Sequence, residues 1–233
     1  LTLYSSLAFG KSPDAIANRR MPQPVKPSTG ANENLFMRGI AASISPFKNT
    51  DLTLFYSSKR TDAIVHDADS ILSDDNYITS LRETGYHRTG ELSGKDAVKQ
   101  TVFGGNIQAR YRMFRIGFTA LQTVLGDQLL KKATLYNSAD FSGKRLNNFG
   151  IDYAMILKGI TLYGEFSGSS TGGKALLTGL TFTPDPRLAL AVIYRNYSQN
   201  YQNFFCNAFS EGSRNSNEKG IYAGIITQLH KRI

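Results

Sequence analysis

Residues 149–166 alternate between two chemistries with a period of two, and that period limits what the chain can fold into. Phe149, Ile151, Tyr153, Met155 and Leu157 are apolar, while Gly150, Asp152, Ala154 and Ile156 between them form a smaller, more polar set. After Lys158-Gly159 the alternation resumes, with Ile160, Leu162, Gly164 and Phe166 set against Thr161, Tyr163, Glu165 and Ser167. Successive side chains of a strand point to opposite faces, so the pattern predicts two strands joined as a hairpin by a two-residue turn. What the apolar face meets, a protein core or lipid, decides the class of protein.

The same period predicts ten strands, over residues 1–10, 34–45, 51–61, 101–111, 114–125, 146–157, 160–168, 174–183, 188–198 and 219–230. Most exceed the five or six residues of an average globular strand and match the 9–11 or so that a tilted strand needs to cross a bilayer. Short connections at 46–50, 112–113, 158–159 and 184–187 alternate with 11–33, 62–100, 126–145, 169–173 and 199–218. Of the second set only 169–173 is brief. Short turns at one rim and long loops at the other are the habit of an up-and-down membrane barrel, whose two rims face different compartments. A soluble sandwich has both ends in the same water and no reason for the rule.

The two faces support the same reading. One carries Leu54, Tyr56, Ile116, Phe118, Val192 and Ile225, and the other Thr53, Ser57, Arg115, Thr119, Glu165 and Arg195. Charge opposite an apolar stripe suits a hydrated lumen. Arg115, Asp152, Glu165 and Arg195 are the candidate lumen-facing residues, and Thr119 and Ala191 are positions on that face expected to accept a charge. Tyr4, Tyr56, Tyr111, Tyr194 and Tyr197 lie near strand ends, where an interfacial girdle would form. Arg38 breaks the apolar register of strand 34–45 and is expected near a rim or turned inward.

Composition sets limits without choosing. The longest apolar run, Leu188–Tyr194, is far below the roughly 20 residues of a spanning helix. The net charge of +9 is spread over several connections with no basic tail or recognition helix, which reads as solvated loop charge. A single cysteine, Cys206, rules out an internal disulfide and a CxxC metal site, and in "NFFCNAF" it reads as a packed thiol.

No motif carries catalysis. "GSSTGGKA" (168–175) has phosphate-loop spacing, but Ala175 stands where the magnesium-holding Ser or Thr belongs, and a strand follows instead of a helix. It reads as a hairpin turn. His66, His87 and His230 lack metal-ligand spacing, and Asp67/Asp69 and Asp74/Asp75 lack the glycine-centred calcium loop. Ser93 in "TGELSGKDAVKQ" is a candidate cap for a short helix. No nucleophile can be matched with a base, so no enzyme activity, catalytic residue, metal or cofactor is expected.

"LTLYSSLAFGKS" (1–12), "NENLFMRGIAAS" (32–43), "DLTLFYSSKRTDA" (51–63) and "ETGYHRTGEL" (83–92) give the chain a resemblance to a family of Gram-negative outer-membrane proteins. These carry periplasmic helix-hairpin-helix modules ahead of a membrane barrel. The modules resemble those of competence proteins that grip the DNA backbone, so the resemblance implies an outer-membrane location and a link to DNA uptake. No helix-hairpin-helix segment lies in these 233 residues, so nucleic acid binding is assigned to no residue here.

The expectation is therefore an all-β, up-and-down antiparallel transmembrane β-barrel. Residues 1–233 would form one domain, with about ten strands visible and the chain being part of a larger barrel, since Ile233 is not the terminal aromatic usual in such barrels. Its role would be a passive conduit or a docking and structural component, with membrane lipid and outer-membrane subunits as partners. The alternative is a soluble lipocalin-like barrel holding a small apolar ligand, which requires the opposite polarity: apolar inside and polar outside.

Overall fold

The computed structural model describes residues 4–6, 18–20, 25, 36–67, 75–82, 89–131, 134, 137–185, 187–212 and 214–227. Among the described residues two short strands, β1 (Tyr4–Ser6) and β2 (Asn18–Arg20), pair only with each other. The rest of the β-structure is one eleven-stranded sheet. Its members are β3 (Gly39–Phe47), β4 (Thr50–Thr61), β5 (Ala63–His66), β6 (Tyr77–Leu81), β7 (Val98–Tyr111), β8 (Phe114–Leu129), β9 (Gly143–Leu157), β10 (Ile160–Ser169), β11 (Lys174–Asp185), β12 (Leu188–Tyr197) and β13 (Glu218–Thr227). Among the described residues there is no α-helix, only a 3-10 turn at Thr89–Gly94.

Nine strands form the main ladder in the order β13-β12-β11-β10-β9-β8-β7-β4-β3, every neighbouring pair antiparallel. Among the described residues the two outer strands, β3 and β13, are not paired with each other, so the sheet is open. Predicted strands 34–45 through 219–230 all have counterparts in this ladder. Stretch 1–10 does not: its described part, Tyr4–Ser6, belongs to the separate β1–β2 pair.

The expected hairpin is present, with Ile151 opposite Phe166 and Asp152 opposite Glu165 around Lys158-Gly159. The short turns close tightly because Asn49 (φ 66), Arg112 (φ 51) and Gly159 (φ 73) take the left-handed conformation that matches the twist of antiparallel strands. At Arg112 a side chain tolerates a conformation that normally suits glycine.

Three features depart from the sequence reading. Strands β8 and β9 continue to Leu129 and back to Gly143, so the connection between them shrinks to 130–142. Connection 62–100 is not plain loop, because β5 and β6 pair with each other and β6 then runs parallel to the end of β8 through Tyr77↔Gln128 and Ile78↔Leu129. Ser93 lies near the end of the 3-10 turn and so does not cap its start. "GSSTGGKA" is the β10–β11 hairpin, closed by Gly172 N–H donating to the Ser169 carbonyl at 3.0 Å. The side chains of Tyr4, His87 and His230, and Asp69 and Asp74, lie outside the described residues.

Candidate functional site

A single row of residues crosses the sheet from β4 to β13. Asp51 faces Gln108, Gln108 faces Gly117, Gly117 faces Asp152, and Asp152 faces Glu165. The row continues through Leu177 and Arg195 to Gly220. Strand period two puts all of these on one face, and that face is buried: Asp152 is 1% exposed, Glu165 0% and Arg195 2%. Shifting every strand by one residue gives the row Leu52, Ile107, Phe118, Ile151, Phe166, Leu176. Of these, Ile107, Phe118, Ile151 and Phe166 are large side chains exposed on the opposite face. The sheet buries its polar side and shows its apolar side.

The four sequence candidates share the buried side, and their charges alternate in local pairs. Arg115 sits one row nearer the short turns, facing Arg110 across β7–β8. Each of these like charges has its own counter-ion: Arg110 Nη2 is 2.9 Å from Asp51 Oδ2, and Arg115 Nη2 is 3.7 Å from Asp152 Oδ2. Gly117 makes room for that arrangement, because a Cβ there would collide with Asp152 Oδ1. Ser167 donates to Glu165 Oε1 at 2.9 Å, two residues along the same strand. Arg195 forms ion pairs with Glu211 and Glu218, and its guanidinium lies over the Phe209 ring, 5.2 Å from the centroid. The structure therefore gathers all four candidates on one face, but as two groups: Arg115, Asp152 and Glu165 on β8–β10, and Arg195 on β12 with Leu177 between.

The separation has a cause that the sequence reading missed. The β12–β13 connection, 198–217, folds onto the buried face instead of standing away from the rim. Tyr201, Ala208 and Phe209 pack with Tyr163, Ala175, Leu177, Ala191, Ile193 and Tyr197 in one core. Polar bonds fasten it: Tyr197 Oη donates to the Phe209 carbonyl at 2.7 Å, Asn148 Nδ2 to the Gln202 carbonyl at 2.7 Å, and Thr171 Oγ1 to the Asn200 carbonyl at 2.6 Å. Two expectations fall here. Tyr197 is 2% exposed beneath the connection, not a girdle residue, and Ala191, 1% exposed in the same core, is not a place that accepts a charge. The aromatic density of "NFFCNAF" was the available signal. Cys206, the one cysteine of the chain, is half-buried against this core.

A second core, Ala63, Ile78, Val98, Leu125, Leu129, Phe141 and Leu146, forms where β5 and β6 meet the ends of β7–β9. Asp140 ties connection 130–142 to connection 198–217, with Lys131 Nζ at 2.5 Å and Arg214 Nη1 at 3.2 Å. Burial pushes the Asp140 carboxyl up, but its bonds to Lys131 and the charges of Lys131 and Arg214 outweigh that and hold it below the usual carboxylate range. Burial pushes the Tyr201 phenol well above its ordinary value. Arg38 sits just ahead of β3 at the long-connection rim, where its backbone N–H donates to Ser57 Oγ at 2.9 Å. His66 stacks on Tyr77 at 5.4 Å between ring centroids. Among the described residues no group of three or more His, Cys, Asp or Glu side chains is placed to hold a metal.

Fold and face together define a class: an all-β, up-and-down antiparallel sheet with a charged, polar buried face and an apolar exposed one. OmpT (in-vitro folded), an outer membrane protein of Vibrio cholerae, is similar at a TM-score of 0.43 and 11% identity, over 81% of this chain and 54% of that one. Its trimer form is similar at 0.42 and 10%, over 80% and 53%. The chain thus spans about half the length of these two structures. No protein-family model matches the chain, and no curated protein matches it.

Proposed function

We propose that this chain is the barrel portion of a protein of the Gram-negative outer membrane, with its exposed face in lipid and its buried polar row lining a passive aqueous conduit. The observation that carries this is the inverted polarity. Leu54, Phe103, Ile116, Phe149, Val192 and Ile225, from six different strands, are between 43% and 70% exposed. Water-facing surfaces rarely hold contiguous apolar patches beyond a few hundred Å². Lipid removes that cost, and a closed or completed strand ladder satisfies the backbone within the bilayer. A lipocalin-like interior would need the apolar row inside, whereas Asp152, Glu165 and Arg195 are there.

Within the conduit, Arg115, Asp152, Glu165 and Arg195 would set the field, as adjacent patches of opposite sign. The ladder accounts for the buried charges only if each meets a counter-ion or water, since an isolated buried charge is costly. Outer-membrane subunits or further strands would cover the edges of β3 and β13.

Spin labels test the reading. At Ile151 a label in the lipid-reconstituted chain should collide readily with oxygen and be shielded from a water-soluble relaxant, and at Thr161 the order should invert. Equal aqueous access at Ile151 and Thr161 would sink it. Fractionation of the native protein checks the location, with recovery in the outer-membrane fraction expected.

A further inference from the structure

We propose that the short-turn rim is a docking surface for the anionic headgroups of a phospholipid leaflet. The inference rests on the lipid-facing reading of the exposed side and names what that side meets at its edge. It uses none of the buried charges.

Each of the four short turns carries one cation: Lys48 between β3 and β4, Arg112 between β7 and β8, Lys158 between β9 and β10, and Arg187 between β11 and β12. All four are exposed, and among the described residues none is in an ion pair. The nearby cations on the polar side are different, since Arg110 and Arg115 already face Asp51 and Asp152. Asp185 is the one carboxylate within the four turns, and its Oδ1 accepts the Arg187 backbone N–H at 2.9 Å. Four cations against one carboxylate leave the rim positive.

Directly inside those cations the surface is apolar. Phe47 is 74% exposed, Tyr111 69%, Met113 50% and Ile156 63%. The Arg112 guanidinium lies over the Tyr111 ring, 5.4 Å from the centroid. A long cationic side chain at the edge of an apolar belt lays its stem along the belt and holds its charge at headgroup level, beside interfacial aromatics.

The belt and the cations are in register. On β7 the apolar positions run from Phe103 to Tyr111 and on β9 from Phe149 to Leu157, nine residues each. That is close to the 9–11 or so of a tilted strand crossing a bilayer. Each run ends one residue before a turn cation, Arg112 or Lys158. At the other end the next cations on the same side, Lys99 and Arg145, come four residues beyond Phe103 and Phe149. Four residues are roughly 13 Å along a strand, more than the Debye length of about 8–10 Å. On these strands charge therefore meets the belt at the short-turn edge, where a headgroup phosphate is the complementary partner.

Spin-labelled lipid tests this in the full chain reconstituted into phosphatidylcholine vesicles. The fraction of tracer whose motion the protein restricts is measured for labelled phosphatidylglycerol and for labelled phosphatidylcholine. Phosphatidylglycerol is expected to associate about two-fold or more above phosphatidylcholine, with the preference vanishing near about 1 M salt. Joint replacement Lys48→Gln, Arg112→Gln, Lys158→Gln and Arg187→Gln should abolish the preference and leave the restricted phosphatidylcholine fraction unchanged, which also shows that the variant is folded. Lys99→Gln with Arg145→Gln should retain the preference. A preference that survives high salt or the fourfold replacement would overturn the proposal, as would its loss in the Lys99/Arg145 variant. No preference in the native chain would overturn it too, the result expected if the turn cations serve a soluble acidic partner. Restricted phosphatidylcholine without that preference fails this inference alone. No restriction of either tracer fails the lipid-facing reading and this inference with it.

Discussion

Arg115 Nη2 stands 3.7 Å from Asp152 Oδ2, and Gly117, two residues along the same strand, leaves the space that this carboxylate occupies. The ion pair and the glycine are one device: a small residue on β8 lets a charged one on β9 lie flat against the sheet. Gly117→Ala is therefore predicted to destabilise the folded chain by about 1–3 kcal/mol through overpacking. In an Asp152→Ala background the same change should cost far less, since its collision partner has gone. Denaturant titration of the four variants in detergent measures the coupling, and strictly additive losses would contradict the device.

The face assignment makes an asymmetric prediction. Val192, 45% exposed in the middle of β12, should lose about 2–4 kcal/mol on replacement by Arg in a lipid-folded chain, as charges do near a bilayer midplane. Thr161→Arg, on the buried-face side near the short turns, should cost much less and mainly alter ion selectivity. Reversible folding into vesicles compares them, and a larger loss at Thr161 would exchange the two faces.

Asp140 gives a pH dependence of known sign. Its folded pKa is lowered below the 3.8 of an unperturbed Asp, so the Lys131 and Arg214 pairs contribute stability that is fully present above that value. That stability is lost as pH falls through the folded pKa. The expected result is a drop in protease resistance of connection 198–217 below about pH 3.9, absent from Asp140→Asn. Identical acid profiles for the two proteins would show that the pairs hold nothing.

Tyr197→Phe removes one hydroxyl and leaves the buried Phe209 carbonyl without its donor. The cost is predicted at about 1–3 kcal/mol, the penalty of an unsatisfied buried acceptor. Hydrogen exchange should place the change in residues 203–212, with β7–β10 unaffected. A uniform loss of protection over the whole sheet would argue that the connection is not a separate packed layer.

The sequence revealed much of the ladder because period two is strict wherever one face differs from the other, as in 149–166. It placed Arg115, Asp152, Glu165 and Arg195 on one face for the same reason. Strands β5 and β6 were not legible: four and five residues are too few to show a period, and their pairing with each other and with β8 is non-local. Ala191 and Tyr197 were misjudged by a different route. Strand alternation says which side a residue faces but not what later segment lies on it, and there the cover is Phe209 and Tyr201.

The ladder also has a consequence for the order in which it forms. Every neighbouring pair from β7 to β13 is consecutive in the chain, so each hairpin can close before the next begins, and local pairing of this kind is fast. The junction of β4 with β7 is the exception, because residues 62–97 lie between them. Within that excursion β6 docks alongside the end of β8, which must already be placed. Pulse-labelled hydrogen exchange is expected to protect β7–β10 first and the β4–β7 junction last. Until then the free edge of β4 is a pairing template for other chains, and aggregation during refolding should fall when β4 is competed by a β7-sequence peptide.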